Sequence, residues 1–292
     1  GTYLAGGYNR RRTEVSGRVV ENEDLVNLPN WLPLDFRPTG GEWFHPEAVE
    51  ILEYRQELGL REGILLRRIR FRDGAGRVST LTERRLVHMG EDHLAALELK
   101  LVPENWSGVV EVESALEGRV TNQGVPRYRD LNGDHLVPRA AREADGETLF
   151  LQVETNQSGL RVAQAARTRL FLGDKYVEPE RRTRREEGFV AHRFQVDLAQ
   201  GREARLEKVV AFFTSRDKAT SECGLEALHA AAGAEGFAGL AASHRRAWSH
   251  LWEDFDIRFR HRREEERART AMVLRLNIFH LLQTASRHTI DL

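Results

Sequence analysis

Apolar and polar residues alternate with a period of two from about residue 13 to residue 215, and this alternation limits the possible folds more than any other feature. In "RRIRFR", Ile69 and Phe71 fall on one face and the arginines on the other. In "FVAHRFQVDL", every second residue from Val190 to Leu198 points to the same face, and only His192 among them is polar. Such alternation is typical of antiparallel strands with one buried face, because successive side chains point to opposite sides. The chain is therefore predicted to be mainly β.

The segments between these strands are rich in glycine, asparagine, aspartate and proline, as in "RDGAGR", "PENWSG", "LNGDHLVP" and "LFLGDKYVEP". These residues favour turns, so consecutive strands are predicted to be joined directly. "ARLEKVVAFFTS" is more continuously apolar than the other strands and is predicted to lie centrally. Residues 1–216 are too many for an immunoglobulin-like unit of about 100 residues. They are predicted to form one large antiparallel β-sandwich.

A second pattern, with helical spacing, begins after Arg216. Apolar residues and one histidine recur three or four positions apart: Phe237, Leu240, His244, Trp248, Leu251 and Phe255. This spacing places them on one face of an amphipathic helix. Residues 217–262 are therefore predicted to form a helical linker. Residues 263–292 are predicted to contain a further helix, whose first turns carry three glutamates (264–266) where the helix dipole favours acidic groups.

This last helix is apolar around most of its circumference. At 100° per residue, one apolar arc contains Leu274, Ile278, Leu281, Leu282 and Ala285, and a second contains Met272, Leu276 and Phe279. The polar strip between them is narrow and contains Asn277, His280 and Thr284. The helix therefore needs neighbours on two sides, and it is predicted to fold back on the sandwich or to pair with another chain. The chain is expected to be cut at both ends, since it lacks an initiator methionine and nothing follows Leu292 to cover this helix.

The composition argues against several classes of function. The net charge of −1 gives no electrostatic case for a nucleic acid or an anionic membrane as partner. No apolar run approaches the roughly 20 residues that a membrane span requires. The single cysteine, Cys223, excludes an internal disulfide and indicates a reducing, cytoplasmic compartment. It lies in "SECGLEAL", a predicted turn entering a helix, and is interpreted as a passive thiol because no basic residues flank it.

The histidines give no convincing site. His192 lies on an apolar strand face and is interpreted as a core histidine. "HMGEDH" brings His88, Glu91, Asp92 and His93 close in sequence, but their spacing matches no recurrent zinc or calcium pattern. This segment is interpreted as a turn between two strands. Because that spacing fits no metal pattern, no metal is predicted. Neither the glycine-rich dinucleotide motif nor a Walker motif occurs, so no cofactor is predicted.

Carboxylates and tryptophans leave alternatives open. The pairs Glu21/Asp24 and Glu111/Glu113 are interpreted as solvated turn and strand-face groups. Two glycosidase carboxylates must converge across a sugar from separate elements, which sequence spacing does not show. The most unusual stretch is "NLPNWLPL", in which Trp31 lies between two prolines. Trp31 is either a sugar-stacking platform or a plug at the edge of the sandwich. From these motifs alone, no catalytic residue is predicted.

Several segments, in order along the whole chain, resemble one known family. They are "GTYLAGGYN", "DLVNLPNWLPL", "LEYRQELGLREGILLRRIRFRDGAGR", "RRLVHMGEDHLAALELKLVPENWSGVVEVESALEGRVTN", "AWSHLWEDFDIRF" and "LRLNIFHLLQTAS". The family is glycoside hydrolase family 65, which includes maltose, trehalose and kojibiose phosphorylases and related hydrolases. One departure is that Leu58-Gly59 stands where the family usually has Leu-Asp.

The resemblance implies an N-terminal super-β-sandwich (1–216), a helical linker (217–262) and the first helix of an (α/α)6 catalytic barrel (263–292). It implies that the rest of the barrel, with its Phe-Trp-Asp segment and its catalytic glutamate, lies beyond this chain. The expected function is an accessory or scaffold domain of an inverting phosphorylase or hydrolase that acts on α-linked glucose disaccharides. Inorganic phosphate is the expected co-substrate of a phosphorylase, and a homodimer is expected.

Two alternatives compete with this reading. The chain could be a stand-alone, lectin-like sugar-binding sandwich that stacks sugars on Trp31, Trp43 or Trp106. It could also be a purely oligomerising sandwich, which overlaps with the scaffold role. Saturable binding of a disaccharide would favour the lectin-like alternative.

Overall fold

A computed structural model describes residues 1–122, 131–257 and 264–286, and within these ranges the chain is mainly β, as predicted. The strands are β1 Tyr8–Val15, β2 Arg18–Leu25, β3 Leu34–Pro38, β4 Glu50–Gly59, β5 Ile64–Arg72, β6 Val78–Val87, β7 Leu94–Pro103, β8 Gly108–Glu117, β9 Leu136–Asp145, β10 Thr148–Thr155, β11 Arg161–Leu172, β12 Lys175–Val177, β13 Arg182–Glu186, β14 Phe189–Leu198 and β15 Ala204–Thr214. The helices are α1 Cys223–Gly233, α2 Phe237–Phe255 and α3 Glu264–Thr284.

The strands form two facing antiparallel sheets and a separate hairpin. The larger sheet has the order β4-β5-β6-β7-β15-β11-β10-β9, with β12 paired to β11. The smaller sheet has the order β13-β14-β8-β3, and β1 pairs only with β2. The predicted antiparallel sandwich is confirmed. The prediction for "ARLEKVVAFFTS" is also confirmed, because β15 lies between β7 and β11 in the middle of the larger sheet.

The main hydrophobic core fills the space between the two sheets. Ile69 of β5 and Leu97 of β7 reach it from the larger sheet, and Val190 and Phe194 of β14 reach it from the smaller one. The alternation in the sequence therefore identified the inner faces correctly. Burial of each such side chain stabilises the fold by about 1.5–3 kcal/mol, so this core supplies most of the attraction between the sheets.

The outer face of the larger sheet is covered by α1 and α2. Phe237 and Leu240 of α2 pack on Ile64 and Val209, while α1 packs through Ala227 on alanines of β11. Small residues at this contact let the helix approach the sheet closely. Because β15 is buried on both faces, it is apolar at successive positions and breaks the strict alternation of the other strands.

Helix α3 packs on α2, which belongs to the predicted linker, whereas the prediction placed it on the sandwich or against another chain. The Phe279 ring stacks on Trp248 with centroids 4.7 Å apart, and Ile278 and Leu282 pack beside it. The predicted division into arcs was wrong, since Phe279 shares the packed face with Leu282, from which it is separated by only about 60° around the helix. Leu281, which was placed on the same arc as Leu282, is 69% exposed.

The exposed side of α3 remains apolar in part, with Met272, Val273 and Leu276 also accessible. Among the described residues, no helix is both long enough and apolar enough to cross a membrane. The strands end at Thr214 and α1 begins at Cys223, on either side of the predicted boundary at residue 216. The division into three domains stays a prediction, and residues 258–263 and 287–292 lie outside the described ranges.

Candidate functional site

The "NLPNWLPL" segment packs into the sandwich. Trp31 is only 6% exposed, and its ring meets Phe212 edge-on with centroids 6.3 Å apart. The backbone carbonyls of the two prolines accept buried hydrogen bonds: Pro29 O from Gln164 Nε2 at 2.8 Å, and Pro33 O from Lys208 Nζ at 2.8 Å. Of the two alternatives for Trp31, the structure therefore supports the packing residue, and the ring face is not available to a sugar.

The other two candidate stacking residues are half-buried and already in contact with protein groups. The guanidinium groups of Arg37 and Arg193 lie 4.7 and 5.4 Å from the ring centroid of Trp43, within cation–π range. Trp106 donates its indole N–H to Ser79 Oγ at 2.9 Å. These contacts give both rings a structural role and weaken the lectin-like alternative.

Replacement of Trp31 by alanine is expected to lower the free energy of unfolding by about 3–5 kcal/mol, since it opens a cavity in the core. Trp43→Ala is the matched control and is expected to cost about 1 kcal/mol, because mainly a partly exposed cation–π contact is lost. Urea unfolding measures both changes. Titration of the wild-type chain with maltose, trehalose and kojibiose, followed by tryptophan fluorescence, is expected to show no saturable change. Saturable binding that Trp43→Ala abolishes would contradict this assignment.

The strand-face carboxylates Glu111 and Glu113 are ion-paired across neighbouring strands. Glu111 lies 2.7 Å from Arg37, and Glu113 accepts a hydrogen bond from Arg193 Nε. The Glu113 side chain is only 16% exposed, so its interpretation as a solvated group was wrong. The reason is the strand register, which places Arg193 directly opposite Glu113. These carboxylates stabilise the outer face of the smaller sheet.

The second pair, Glu21 and Asp24, lies on the β1–β2 hairpin. Glu21 pairs with Arg12 at 2.9 Å on the exposed part of the ribbon. Asp24 was wrongly interpreted as solvated, since its side chain is 14% exposed and lies 3.4 Å from Nε2 of the buried His135. The Nδ1 atom of His135 lies 3.0 Å from the Asn9 amide nitrogen. This cluster therefore anchors the base of the hairpin to the sandwich.

His192 is a fully buried core residue, as interpreted from its strand face. Neither ring nitrogen has a hydrogen-bond partner among the described residues, and the nearest carboxylate, Glu143, lies 3.8 Å from Nε2. Burial, with a smaller contribution from the positive charge of Arg181, lowers the pKa of His192 to about 4. The imidazole is therefore neutral at pH 7.

The "HMGEDH" segment is the turn between β6 and β7, as predicted. His88 Nε2 lies 2.9 Å from Ser243 Oγ on α2, and His88 Nδ1 accepts the Glu91 N–H at 2.8 Å. His93 Nδ1 instead lies 2.8 Å from the Phe212 carbonyl oxygen. The two imidazoles thus bind different elements. Within the described ranges, no group of three or more histidine, cysteine, aspartate or glutamate residues is arranged to hold a metal.

Cys223 is the first residue of α1, where the predicted turn enters a helix. Glu222 caps this helix by accepting the Leu225 N–H at 2.6 Å. The thiol is buried, and burial raises its pKa, which disfavours the reactive thiolate. These observations support the interpretation of Cys223 as a passive thiol.

Sequence reasoning missed Lys208, which is fully buried between the two sheets. Its ammonium group donates to Pro33 O at 2.8 Å and to Ala115 O at 2.7 Å, so a side chain of β15 binds the backbone of the smaller sheet. Burial lowers the pKa of Lys208 to about 7. The signal was present in the sequence, because the alternation with Leu206 and Val210 places residue 208 on the inner face.

A second missed feature is the contact between α2 and two turns of the sandwich. Met89 N donates to His244 Nδ1 at 3.0 Å, and His244 Nε2 lies 3.2 Å from the Gly63 carbonyl oxygen. Trp252 Nε1 donates to Leu60 O at 3.0 Å. The turns at 59–63 and 88–93 are thus hydrogen-bonded to one face of α2. We call these two turns, α2 and the packed face of α3 the joint.

A polar cleft of about 510 Å³ lies beside the joint, lined by Arg61, Ser249, Trp252, Glu253 and Asp256. Asp256 Oδ1 accepts from Arg275 Nε at 2.9 Å, and Asp256 Oδ2 accepts from Arg61 at 3.2 Å. The hydrogen bond from Arg275 lowers the pKa of Asp256, which keeps this carboxylate ionised. A general acid at neutral pH needs the opposite shift, so Asp256 is unsuited to that role.

Comparison with known proteins supplies the family. The family model described as "Glycosyl hydrolase family 65, N-terminal domain" matches residues 1–251. The chain belongs to glycosyl hydrolase family 65. This confirms the resemblance drawn from the sequence, and it assigns the sandwich with its α1 and most of α2 to the N-terminal domain of the family.

Relatives of this family 65 chain are considerably longer than it is. An uncharacterized glycosyl hydrolase of Mycobacterium tuberculosis is 42% identical over 292 residues, which are 100% of this chain and 22% of that protein. A kojibiose phosphorylase of Halothermothrix orenii is 28% identical over 269 residues, which are 88% of this chain and 32% of that enzyme. The chain therefore spans between about a fifth and a third of these relatives.

A solved structure from the human microbiome, assigned as a kojibiose phosphorylase, has the same fold. The two superpose with a TM-score of 0.79 at 16% sequence identity, over 97% of this family 65 chain and 36% of the solved one. At this level of identity the likeness concerns the fold alone. It confirms the large antiparallel sandwich followed by helices.

Proposed function

We propose that this chain is the N-terminal scaffold domain of an inverting family 65 phosphorylase or hydrolase that acts on α-linked glucose disaccharides. The observation that carries the proposal is the family match over residues 1–251, in a chain that spans only 32% of a kojibiose phosphorylase relative. The site geometry supports it. Four of the carboxylates considered above, Glu21, Glu111, Glu113 and Asp256, are paired with arginines, and the candidate tryptophans are packed against protein groups.

In the proposed reaction, the catalytic groups lie outside this chain. A glutamic acid protonates the glycosidic oxygen, and the anomeric carbon is attacked from the opposite face. The nucleophile is phosphate in a phosphorylase and base-activated water in a hydrolase. Phosphate needs no general base because it is already an anion at neutral pH. Inversion at an α-linked glucose yields β-glucose 1-phosphate from phosphate, or β-glucose from water.

The test uses the full-length protein that carries this chain, incubated with kojibiose, trehalose and maltose in the presence and absence of inorganic phosphate. We expect turnover of at least one disaccharide, with a β-configured product by proton NMR. Residues 1–292 alone, at the same concentration, are the control and are expected to show no turnover. An α-configured product would contradict the inverting mechanism, and turnover by residues 1–292 would contradict the scaffold role.

A further inference from the structure

The joint contains a column of α2 side chains spaced four residues apart. These residues are Leu240, His244, Trp248 and Trp252, and Asp256 follows at the C-cap of the helix. Each four-residue step turns by about 40° around the helix, so the row winds from Leu240 and His244, which contact the sandwich, to Trp248, which also stacks on Phe279 of α3. The hydrogen bonds of His244 and Trp252 fix the position of α2 along its axis and its rotation about that axis, because each side chain binds a backbone group of a turn.

Gly63 is the point of closest approach between the sandwich and α2. Its φ of +63° lies in the left-handed region, which favours glycine. A Cβ at this position would lie 2.0 Å from Trp248 Nε1 and 2.7 Å from His244 Nε2. Both neighbours are rigid rings in a buried site, so neither can move aside as a flexible side chain could. The present position of α2 therefore requires the absence of a side chain at residue 63.

Two contacts couple the position of α3 to that of α2. Phe279 of α3 stacks on Trp248, with centroids 4.7 Å apart and planes inclined by 17°. At the end of α2, Asp256 binds Arg61 of the sandwich and Arg275 of α3 with the same carboxylate. Any displacement of Trp248 by residue 63 would therefore also displace α3.

We propose that the joint is rigid and sets the direction in which α3, and the chain that continues from it, leaves the sandwich. Gly63 is then a positioning residue for the catalytic domain, although it belongs to the sandwich and touches no substrate. The rigidity of the joint concerns this chain alone. The effect on catalysis rests on the proposed function.

The test compares Gly63→Ala with Gly173→Ala in the full-length protein. Gly173 has a nearly identical φ of +61°, but no described atom lies within 4 Å of its Cβ position. Both variants introduce the same backbone strain, and only Gly63→Ala also clashes with α2. Hydrogen–deuterium exchange reports on the helices, and kcat and KM are measured at a temperature at which circular dichroism shows all variants folded.

We expect Gly63→Ala to speed amide exchange in α2 and α3, and to lower kcat/KM by roughly 10- to 100-fold, as a displacement of about 1 Å does. Gly173→Ala should match the wild type in both readouts. Adding Trp248→Phe to Gly63→Ala removes the indole nitrogen, which is the atom nearest to the new methyl group, and should restore part of the lost activity. Such rescue is not expected if Gly63→Ala acts through backbone strain alone.

Other results of these measurements would each contradict a specific claim. Equal exchange in the Gly63→Ala and Gly173→Ala variants would overturn the rigid joint. Altered exchange with unchanged kcat/KM would overturn the positioning role of Gly63. A wild-type protein inactive on all three disaccharides would count against the proposed function, while the exchange data would still decide the joint. If Gly63→Ala fails to fold, Phe279→Ala leaves the sandwich intact and should speed exchange in α3 alone, with the same loss of activity.

Discussion

Acidification from pH 6.5 to pH 4 is expected to lower the free energy of unfolding by about 3 kcal/mol for each of two buried histidines, His192 and His244. Burial lowers the pKa of each from 6.5 to about 4 in the folded protein. Between these values the unfolded chain binds more protons than the folded one. Stability therefore rises with pH through this window and is lost as the pH falls.

Geometry explains why both imidazoles resist protonation. His244 Nδ1 accepts the Met89 N–H, so a proton there would break the bond. His192 is fully buried, and the charge of Arg181 opposes a second positive charge beside it. The pKa values of His88 and His135 are also lowered by burial, and these residues add to the effect with the same sign.

The variant His192→Leu separates this effect from general acid denaturation. Since neither nitrogen has a partner among the described residues, leucine should raise the free energy of unfolding at pH 7 by about 1 kcal/mol. It should also flatten the acid dependence. His250→Leu is the control, because the His250 side chain is 79% exposed. Urea unfolding at pH 7, 5.5 and 4.5 measures both variants, and an acid profile unchanged by His192→Leu would refute the assignment.

Truncation of Lys208 to alanine is expected to lower the free energy of unfolding by about 3 kcal/mol, because it leaves a cavity and removes two hydrogen bonds from the interface between the sheets. Lys208→Met fills most of the same volume, but it also removes both hydrogen bonds, so it should lower the free energy of unfolding by about 1–2 kcal/mol. The difference between the two variants measures the packing of the side chain, because both lose the charge and the hydrogen bonds. Equal losses in both would show that the hydrogen bonds dominate.

The same lysine predicts a further rise of stability with pH, now on the alkaline side, with the same sign as for the histidines. Its pKa is about 7 in the folded protein and 10.5 as the ordinary value, so the unfolded chain binds more protons between these limits. Stability should therefore rise from pH 7 to pH 10.5, by up to about 5 kcal/mol from this residue. The neutral amine keeps two N–H groups for the Pro33 and Ala115 carbonyls. Lys208→Met should abolish this rise, whereas Lys175→Met, on the exposed β12, should leave it unchanged.

The sequence was sufficient to predict the sheets and their faces, because period-two alternation is a local property. It identified the inward positions of β14 and the central position of β15 before any partner was known. It could not identify cross-strand partners such as Glu113 and Arg193, which are 80 residues apart and meet only through the register of β8 and β14. The apolar arcs of α3 were misassigned for a related reason, since the face covered by α2 takes residues from both arcs, which the sequence pattern does not show.

The candidate functional residues show the same difference between roles set by local sequence and roles set by distant contacts. The interpretations of His192 and Cys223 followed from their local patterns and agree with the structure. The joint was invisible in sequence, because Gly63 and Trp248 are ordinary residues until the fold brings them together. Lys208 is intermediate: its inward position could be read from its neighbours, but the two carbonyls that satisfy it belong to distant strands.

The central position of β15 has a consequence for the synthesis of the chain. The strands β4 to β7 and β9 to β11 form the two halves of the larger sheet, and β15, the last strand along the chain, joins them. Until residue 214 has left the ribosome, β7 and β11 each present an unpaired edge, and such edges readily pair with other chains. The larger sheet is therefore completed only after β15 has emerged from the ribosome, so we expect co-translational folding to finish late. We also expect the nascent domain to depend on chaperones while the two strand edges are unpaired.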